Sequence, residues 1–283
     1  MAKTKEKEQE TPAQEQKAVT VKAAANLPAG MDLGSLQADA GAGSRNITAE
    51  DMQTPIISIL QANSPQCKKS DGKYIKGASE GMLYNNVTQE IYSGEDGITI
   101  IPCFFEKVYI EWKPNRGGLV AIHDAATPLK DQVKMVLSAE GKEVPTLPNG
   151  NQLIETNQHY VLLVKEDGSF EPAVLAMSSS ALKSSRQLNT LIKRVMLQGP
   201  NGPFNPASYY SLYKLTTSAR QNDQYSWFGW SIENLGPVPN MDLYNAGKAL
   251  EQAVNSGTVR VKQEEQTAHD PVTGEVIDEE VKY

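Results

Sequence analysis

Apolar and polar residues alternate over short stretches through the middle of the chain, and this period of two predicts β-strands. The alternation is cleanest in residues 108–113, which place an apolar residue at every second position, at Val108, Ile110 and Trp112. Strand-like runs rich in Val, Ile, Phe and Tyr occupy residues 97–112, 119–123, 159–164, 170–177, 208–215 and 225–232. Residues 124–156 are polar and interrupted by proline, so we expect an elaborated loop with short helices there.

Two other stretches carry apolar residues at the 3.6-residue period of an amphipathic helix. In residues 181–198 the apolar positions are Leu188, Leu191, Ile192, Val195 and Met196. In residues 241–255 they are Leu243, Ala246, Leu250 and Val254. The sequence therefore predicts one helix within the β-rich region and a second helix near its end.

The order of these elements indicates the fold class, which we expect to be mainly β with a few helices (α+β). Within residues 97–233, with the runs 159–164 and 170–177 counted together as one hairpin, the helix falls between the third and fourth strands. That is the layout of an OB-fold, a five-stranded antiparallel barrel whose open face and loops bind oligonucleotides. We therefore predict an OB-fold-like barrel inside a single β-rich core that spans residues 46–262.

Both ends of the chain have compositions that do not favour a packed core. Residues 1–45 carry six basic and six acidic side chains with almost no large apolar residue, and residues 263–283 carry seven acids against one lysine. Neither segment buries enough apolar surface to offset the entropy lost on ordering. We therefore predict a disordered N-terminal arm and a disordered acidic C-terminal tail.

The acidic tail changes how the net charge of −7 is interpreted. Without the two arms, residues 46–262 contain 20 basic and 21 acidic residues and are close to neutral. The negative charge of the whole chain therefore does not argue against a nucleic-acid partner for the core. No apolar run approaches the ~18 residues of a membrane span, and the N-terminus lacks the apolar centre of a signal peptide. We expect a cytoplasmic protein without a membrane partner.

Residues 172–222 contain no aspartate or glutamate although the chain as a whole is acidic. The cationic candidates for a binding site in this stretch are Lys183, Arg186, Lys193, Arg194, Lys214 and Arg220. The aromatic candidates in and around it are Tyr209, Tyr213, Trp227, Trp230 and Trp112. A surface that binds a polyanion lacks like charge as well as carrying opposite charge. Cations interleaved with aromatic rings suit single-stranded nucleic acid, because every nucleotide has a phosphate and every base has a face for stacking.

Two alternatives stay open at this point. The acid-free stretch could equally be a buried helix and strand, since aromatic residues are more often part of a core than of a ligand platform. A second basic segment, residues 68–76, has four lysines and one tyrosine. It could contact phosphate, or it could be a solvated hairpin tip.

Motifs for catalysis and for cofactor or metal binding do not occur in the sequence. It has no glycine-rich phosphate loop and no Gly-x-Ser-x-Gly elbow. The prolines within residues 199–203 remove N–H groups that a phosphate cradle needs. Cys67 and Cys103 form no CxxC motif, and the three histidines share no metal-ligand spacing. We expect neither enzymatic activity nor a cofactor nor a bound metal.

The end of the chain adds a resemblance to a known family. Residues 278–283, Asp-Glu-Glu-Val-Lys-Tyr, form an acidic C-terminus that ends in an aromatic residue. Joined to a predicted β-barrel with Lys, Arg and aromatic residues, this resembles the single-stranded DNA-binding proteins of tailed phages. Residues 81–118 also look like proteins encoded in phage replication gene clusters. The resemblance implies a tail that recruits replication partners and competes with DNA for the basic groove.

We therefore expect a non-enzymatic phage protein that coats single-stranded DNA during replication or recombination in the host cytoplasm. Its expected partners are single-stranded DNA and, through the acidic tail, phage replication or recombination proteins. Two other functions fit the same sequence. One is a virion-associated or scaffold-like structural protein, and the other is a protein that binds a host enzyme through its tail.

Overall fold

The computed structural model describes residues 31–48, 51–114, 117–138, 141, 143–222 and 225–259. The strands are β1 (Ile57–Ile59), β2 (Leu83–Asn85), β3 (Ile91–Tyr92), β4 (Ile98–Trp112), β5 (Leu119–Asp124), β6 (Lys134–Leu137), β7 (Glu143–Thr146), β8 (Gln152–Val164), β9 (Phe170–Ser178), β10 (Leu197–Gly199), β11 (Gly202–Phe204), β12 (Ser211–Gln221) and β13 (Ser226–Pro237). The helices are α1 (Leu33–Ala38), α2 (Leu182–Arg194) and α3 (Met241–Asn255). The prediction of a mainly β structure with a few helices is confirmed.

An eight-stranded antiparallel sheet forms the body of the structure. Its order is β13-β12-β4-β8-β7-β6, with β5 paired to β4 and β9 paired to β8. The long central strands β4 and β8 pair from Thr99↔Val164 to Trp112↔Gln152, and the register shifts once, between Pro102 and Phe104. One end of this central pair carries the main core, while the other end carries the smaller strands β5, β6 and β7.

The sheet is covered on both faces where β4 begins. Ile98 and Ile100 point to one face and pack in a cluster that includes Leu188 of α2. Ile101 and Cys103 point to the other face and pack in a cluster that includes α3. A strand buried on both faces needs apolar residues at successive positions, which explains why residues 100–104 of β4 are all apolar.

The small sheet formed by β1, β2 and β3 lies on the same face of the large sheet as α2. It contacts two strands of the large sheet, β9 and β13. A single parallel bridge, Ile56↔Val174, joins its start to β9. At the other side the Gln61 side chain bonds both backbone groups of Phe228 in β13. Among the described residues no ladder closes these strands into a barrel. The predicted OB-fold-like barrel in residues 97–233 is therefore not confirmed. At the positions where strand pairing would close a barrel, the structure has one isolated bridge and the side-chain hydrogen bonds of Gln61.

The predicted loop in residues 124–156 is wrong in part, since it holds β6, β7 and the start of β8. The first half of β8 is polar but buried, and its buried polar residues are Gln152, Thr156, Asn157, Gln158 and His159. Several of them are satisfied by hydrogen bonds to neighbouring side chains or carbonyls. Hydropathy predicted only the second half of β8, because polar residues interrupt the apolar pattern of its first half.

The two predicted helices are present. α3 occupies the predicted range, whereas α2 ends at Arg194, four residues earlier than predicted. The early end has a local cause, because the Asn205 side chain donates to the carbonyls of Ile192 and Val195 and the chain then enters β10.

Most of the two predicted arms lies outside the described residues. The N-terminal arm is described only from residue 31, where the short helix α1 and the turns after it have exposed side chains. Residues 263–283 lie entirely outside. In the part of the chain that is described, no helix is long and apolar enough to cross a membrane.

Candidate nucleic-acid interface

Four of the predicted cations lie along one exposed side of α2, and we call this surface the basic stripe: Lys183, Arg186, Lys193 and Arg194. At 3.6 residues per turn their spacing keeps them within about a third of the helix circumference, over a length of about 16 Å. α2 contains no acidic residue. The structure pairs none of the four with a carboxylate among the residues it describes.

The opposite side of α2 is fixed to the sheet by serines as well as by apolar residues. Leu188 is completely buried. Ser184 Oγ donates to the carbonyl of Trp230 in β13, at 3.3 Å. Ser185 Oγ lies 2.8 Å from both Asn157 Nδ2 and His159 Nε2 of β8. These bonds set the rotation of the helix, and that rotation turns the basic stripe toward solvent.

His159 is a neutral part of this attachment. It is buried, and burial lowers its pKa to about 4. At neutral pH one ring nitrogen therefore carries the proton and the other accepts. The ring of Phe105 lies 5.0 Å from that of His159, measured between centroids. The His159–Ser185 pair is closed off from solvent, so we assign it a structural role rather than that of a nucleophile and base.

The two ends of α2 differ in how their backbone groups are satisfied. At the C-terminus, Asn205 donates to two of the last carbonyls. At the N-terminus a 3₁₀ turn, Ser179–Ala181, leads into the helix, and neither it nor α2 has a side-chain cap. The first turn of α2 contains Lys183 and no acid. The positive end of the helix dipole and the Lys183 charge therefore add, which produces a site that favours an anion.

Arg220 approaches this end of α2 from the neighbouring hairpin. Its side chain passes over Gly229, where a Cβ atom would collide with it. Its Nη2 donates to the carbonyl of Trp230, the same oxygen that accepts from Ser184. The structure thus brings Arg220 to the first turn of α2 through this shared carbonyl, although the two segments lie far apart along the sequence.

Trp227 is the aromatic candidate that lies closest to these cations in the strand register. It is the cross-strand partner of Arg220. Directly opposed residues in an antiparallel pair have Cβ atoms about 5 Å apart and point to the same face. Trp227 is half-buried, so part of its ring is open to a ligand.

The other predicted site residues lie away from the basic stripe. Tyr213 is 0% exposed and Trp230 is 4% exposed, and both pack in the core under α2, so neither can stack on a base. Tyr209 packs against α3, with its ring 5.0 Å from that of Tyr244. Lys214 points away from α2 and stands opposite Glu233. Trp112 ends β4, about 45 Å along the strand from its start at 3.3 Å per residue.

Phe204 is a residue that the sequence analysis missed. It lies on β11 and is 48% exposed. Its ring lies against Gly199, where an added Cβ would be 3.0 Å from the ring. The next residue, Asn205, is the one that bonds the last turn of α2, so Phe204 belongs at the Lys193–Arg194 end of the basic stripe. The signal in the sequence is an aromatic residue directly after the Gly- and Pro-rich residues 199–203, a segment whose prolines argue only against a phosphate loop.

A second group of polar side chains surrounds Glu111 at the far end of the sheet. Asn149 and Asn151 donate to Glu111 Oε1 at 3.3 and 2.6 Å, and His123 Nε2 lies 2.8 Å from Oε2. Hydrogen bonds, chiefly from Asn151, lower the pKa of Glu111 despite its burial. Because both carboxylate oxygens are engaged, we assign this group to holding β5 and the turn before β8 on β4. No group of three or more potential metal ligands occurs among the described residues.

Comparison with protein families assigns a family to most of the chain. The model of the Pam3 phage gp34-like protein family matches residues 22–260. The chain therefore belongs to this family of phage proteins, in agreement with the phage origin expected from the sequence. No curated protein matches the chain, and no solved structure matches it.

Proposed function

We propose that this phage protein binds single-stranded DNA without catalysing a reaction, through the basic stripe of α2 together with Arg220, Trp227 and Phe204. The observation that carries the proposal is the basic stripe itself. It is exposed, free of acids, and unpaired with any carboxylate of the described chain. A polyanion is the ligand that such a surface favours.

A solvated helical face does not by itself explain the stripe. Such faces normally mix both signs of charge, because alternating charges at i and i+4 stabilise the helix. Lys193 and Arg194 do stabilise the C-terminal end of α2 through the helix dipole. Lys183 has the opposite effect at the N-terminal end, so helix stability gives no reason for a cation there. Binding of an anion does.

The aromatic residues favour a single strand over a duplex. Trp227 stands opposite Arg220 on the hairpin face turned away from α2, and the Arg220 guanidinium reaches the strand edge beside the first turn of α2. Phe204 lies near the other end of the helix. Exposed rings beside cations stack on unpaired bases, whereas the bases of a duplex are already stacked on one another. The proposal does not need an OB-fold barrel, because α2 and two hairpins supply the contacts.

The wider role follows from the phage family and from the chain's charge distribution. We propose that the protein acts in replication or recombination in the cytoplasm of the host cell. Residues 263–283, with seven acids against one lysine, would then bind replication or recombination proteins or compete with DNA for the basic stripe.

A titration of the purified full-length chain against single- and double-stranded oligonucleotides of equal length, at several salt concentrations, tests the proposal. Four phosphate contacts predict that log affinity for the single strand falls with log salt with a slope of at least about 2.8. Binding to the duplex should be weaker at every salt concentration. A chain that shows no salt-dependent binding to the single strand would overturn the proposal. Presence of the protein in purified virions would then favour a structural role.

A further inference from the structure

The sequence of residues 68–76, which we call the lysine loop, allows two interpretations: a contact to phosphate or a solvated hairpin tip. The structure shows which contacts anchor this loop. The segment that contains it leaves the small sheet at Gln61 and returns at Gly81. Gln61 bonds the N–H and the carbonyl of Phe228, at 2.9 and 3.0 Å. Gly81 lies against the Phe228 ring, and its carbonyl accepts from Thr217 Oγ1 at 2.6 Å. Both ends of the segment are therefore fixed to the β12–β13 hairpin.

These anchors place the base of the segment near the first turn of α2. Phe228 bonds Gln61 through backbone groups at the outer edge of β13, away from β12. The carbonyl of Trp230, two residues further along, points to the same edge and accepts from Ser184 of α2 and from Arg220. Two residues of a strand span about 7 Å. The base of the lysine-loop segment and the first turn of α2 are thus neighbours along one strand edge, with Arg220 next to them.

The charges of the loop match those of the stripe. Lys69 and Lys76 are exposed, and the structure gives neither of them a carboxylate partner within the described residues. The one acid of the loop, Asp71, accepts from the backbone N–H of Lys73 at 2.9 Å and so helps to form the turn. The loop therefore carries four lysines against one acid, and that acid is bonded within its own turn.

We propose that the lysine loop is a second cationic arm of the single-strand site, and that one DNA strand runs from the basic stripe across the outer edge of β13 to this loop. The inference rests on the proposed function and extends it, since the site becomes longer than α2. The basic stripe alone accommodates about five nucleotides at 3.4 Å per nucleotide. A longer strand gains the contacts of Lys69 and Lys76.

The test compares two double variants on two oligonucleotides, (dT)6 and (dT)24, by fluorescence anisotropy of the full-length protein. K69Q/K76Q should bind (dT)24 with a salt slope smaller by about 1.4 and, at 0.1 M salt, about 25-fold more weakly, taking the counterion effect to vanish near 1 M. The same variant should bind (dT)6 as the wild type does, because the stripe alone takes up about five of its six nucleotides. The matched control K134Q/K248Q removes the same charge from exposed positions on β6 and α3.

The outcomes separate this inference from the function on which it rests. Wild-type affinity of K69Q/K76Q for (dT)24 would overturn the two-arm site while leaving binding by α2 in place. An equal loss in the control, or an equal loss on (dT)6, would also overturn it, because the effect would then not depend on reaching the loop. If the wild-type protein binds neither oligonucleotide, the proposed function itself fails.

Discussion

α2 and α3 pack on opposite faces of the same sheet, yet their sequences follow different rules. α3 has an Asn240 cap that accepts from the N–H of Leu243 at 2.9 Å, and an acid, Asp242, in its first turn. Its charged residues include both signs. α2 has no side-chain cap and no acid, and its first turn contains a lysine. Stability alone explains the sequence of α3, but it does not explain that of α2.

The difference shows where a function is to be sought. Natural sequences agree with local stability rules except where function requires otherwise, so a helix that breaks two rules at one end is a candidate site. Both helices bury an adequate face, which makes the exposed side of α2 the feature to be explained. The predictions below change one helix and use the other as its control.

The largest expected effect is on DNA affinity when the basic stripe is neutralised. Replacing Lys183, Arg186, Lys193 and Arg194 with Gln should reduce the salt slope for single-stranded DNA by about 2.8, which is about 600-fold in affinity at 0.1 M salt. A control with four exposed lysines changed to Gln away from α2 removes the same charge, at Lys113, Lys130, Lys134 and Lys248. Equal losses in the two variants would mean that net charge, and not the stripe, determines binding.

The attachment of α2 should make stability depend on pH in the acidic range. Cys103 is a titratable group buried against α3, and burial raises its pKa to about 12. The pKa of His159 is lowered to about 4, below the ~6.5 of an exposed histidine. As the pH falls from 6.5 to 4, the unfolded chain takes up a proton that the folded chain does not. Stability should therefore be fully present above pH 6.5 and fall by up to about 1.4 kcal/mol per pH unit below it. Urea unfolding of His159→Gln should show a flatter dependence in this window, and an unchanged slope would contradict the assignment.

Some properties of this site can be predicted from the sequence, and others cannot. The charge of the acid-free stretch and the 3.6-residue period of α2 are visible in the sequence, and both led to the basic stripe. Burial of Ser184 and Ser185 was not visible, because polar residues enter a core through partners such as His159 that lie far away in the chain. For the same reason the polar start of β8 was taken for a loop.

Alternation predicts which residues share a face of a strand, but not which face another element covers. Trp227 and Trp230 are three residues apart, so alternation places them on opposite faces of β13, while only the structure shows that α2 and the small sheet bury Trp230. Phe204 was overlooked because its position beside α2 depends on the Asn205 bonds, which follow from the early end of that helix. In the described part of the chain the Gln61 side chain, and not a paired strand, bonds the outer edge of β13, and no local pattern indicates that contact.

The two tryptophans of β13 should therefore respond differently to substitution. Trp227→Ala should lose about 1–3 kcal/mol of affinity for oligo(dT) with little change in stability, because it removes a stacking surface. Trp230→Ala should lose about 3–5 kcal/mol of stability, since it leaves a cavity under α2. Oligo(dT) should quench tryptophan fluorescence in the wild type and not in Trp227→Phe. Quenching that persists in that variant would exclude Trp227 from the site.

A smaller effect should show that the first turn of α2 is adapted to binding at a cost in stability. Lys183→Glu restores the favourable charge at the helix N-terminus and should raise the stability by about 0.3–1 kcal/mol. The same change should weaken single-stranded DNA binding, since it replaces a phosphate contact by repulsion. In α3 the converse change, Asp242→Lys, should lower the stability by a similar amount and leave DNA binding as it was. Thermal unfolding and anisotropy measure both quantities, and a Lys183→Glu variant that binds normally would place Lys183 outside the site.

The smallest expected effect concerns the acidic segment that follows α3. The last described residue, Val259, packs with the α3 cluster, on the face opposite α2. From there the 24 residues to the end of the chain are long enough, at up to about 3.3 Å each, to reach the other face.

Tethered carboxylates reach effective concentrations in the millimolar range, so they should compete with DNA for the basic stripe. Deleting residues 263–283 should tighten single-stranded DNA binding several-fold at 0.01 M salt. The gain should shrink at 0.15 M, because the Debye length falls from about 30 Å to about 8 Å. A full-length variant with the seven acids changed to their amides should behave like the deletion, which separates charge from chain length. Affinity that stays the same at every salt concentration in both variants would rule out competition by the tail.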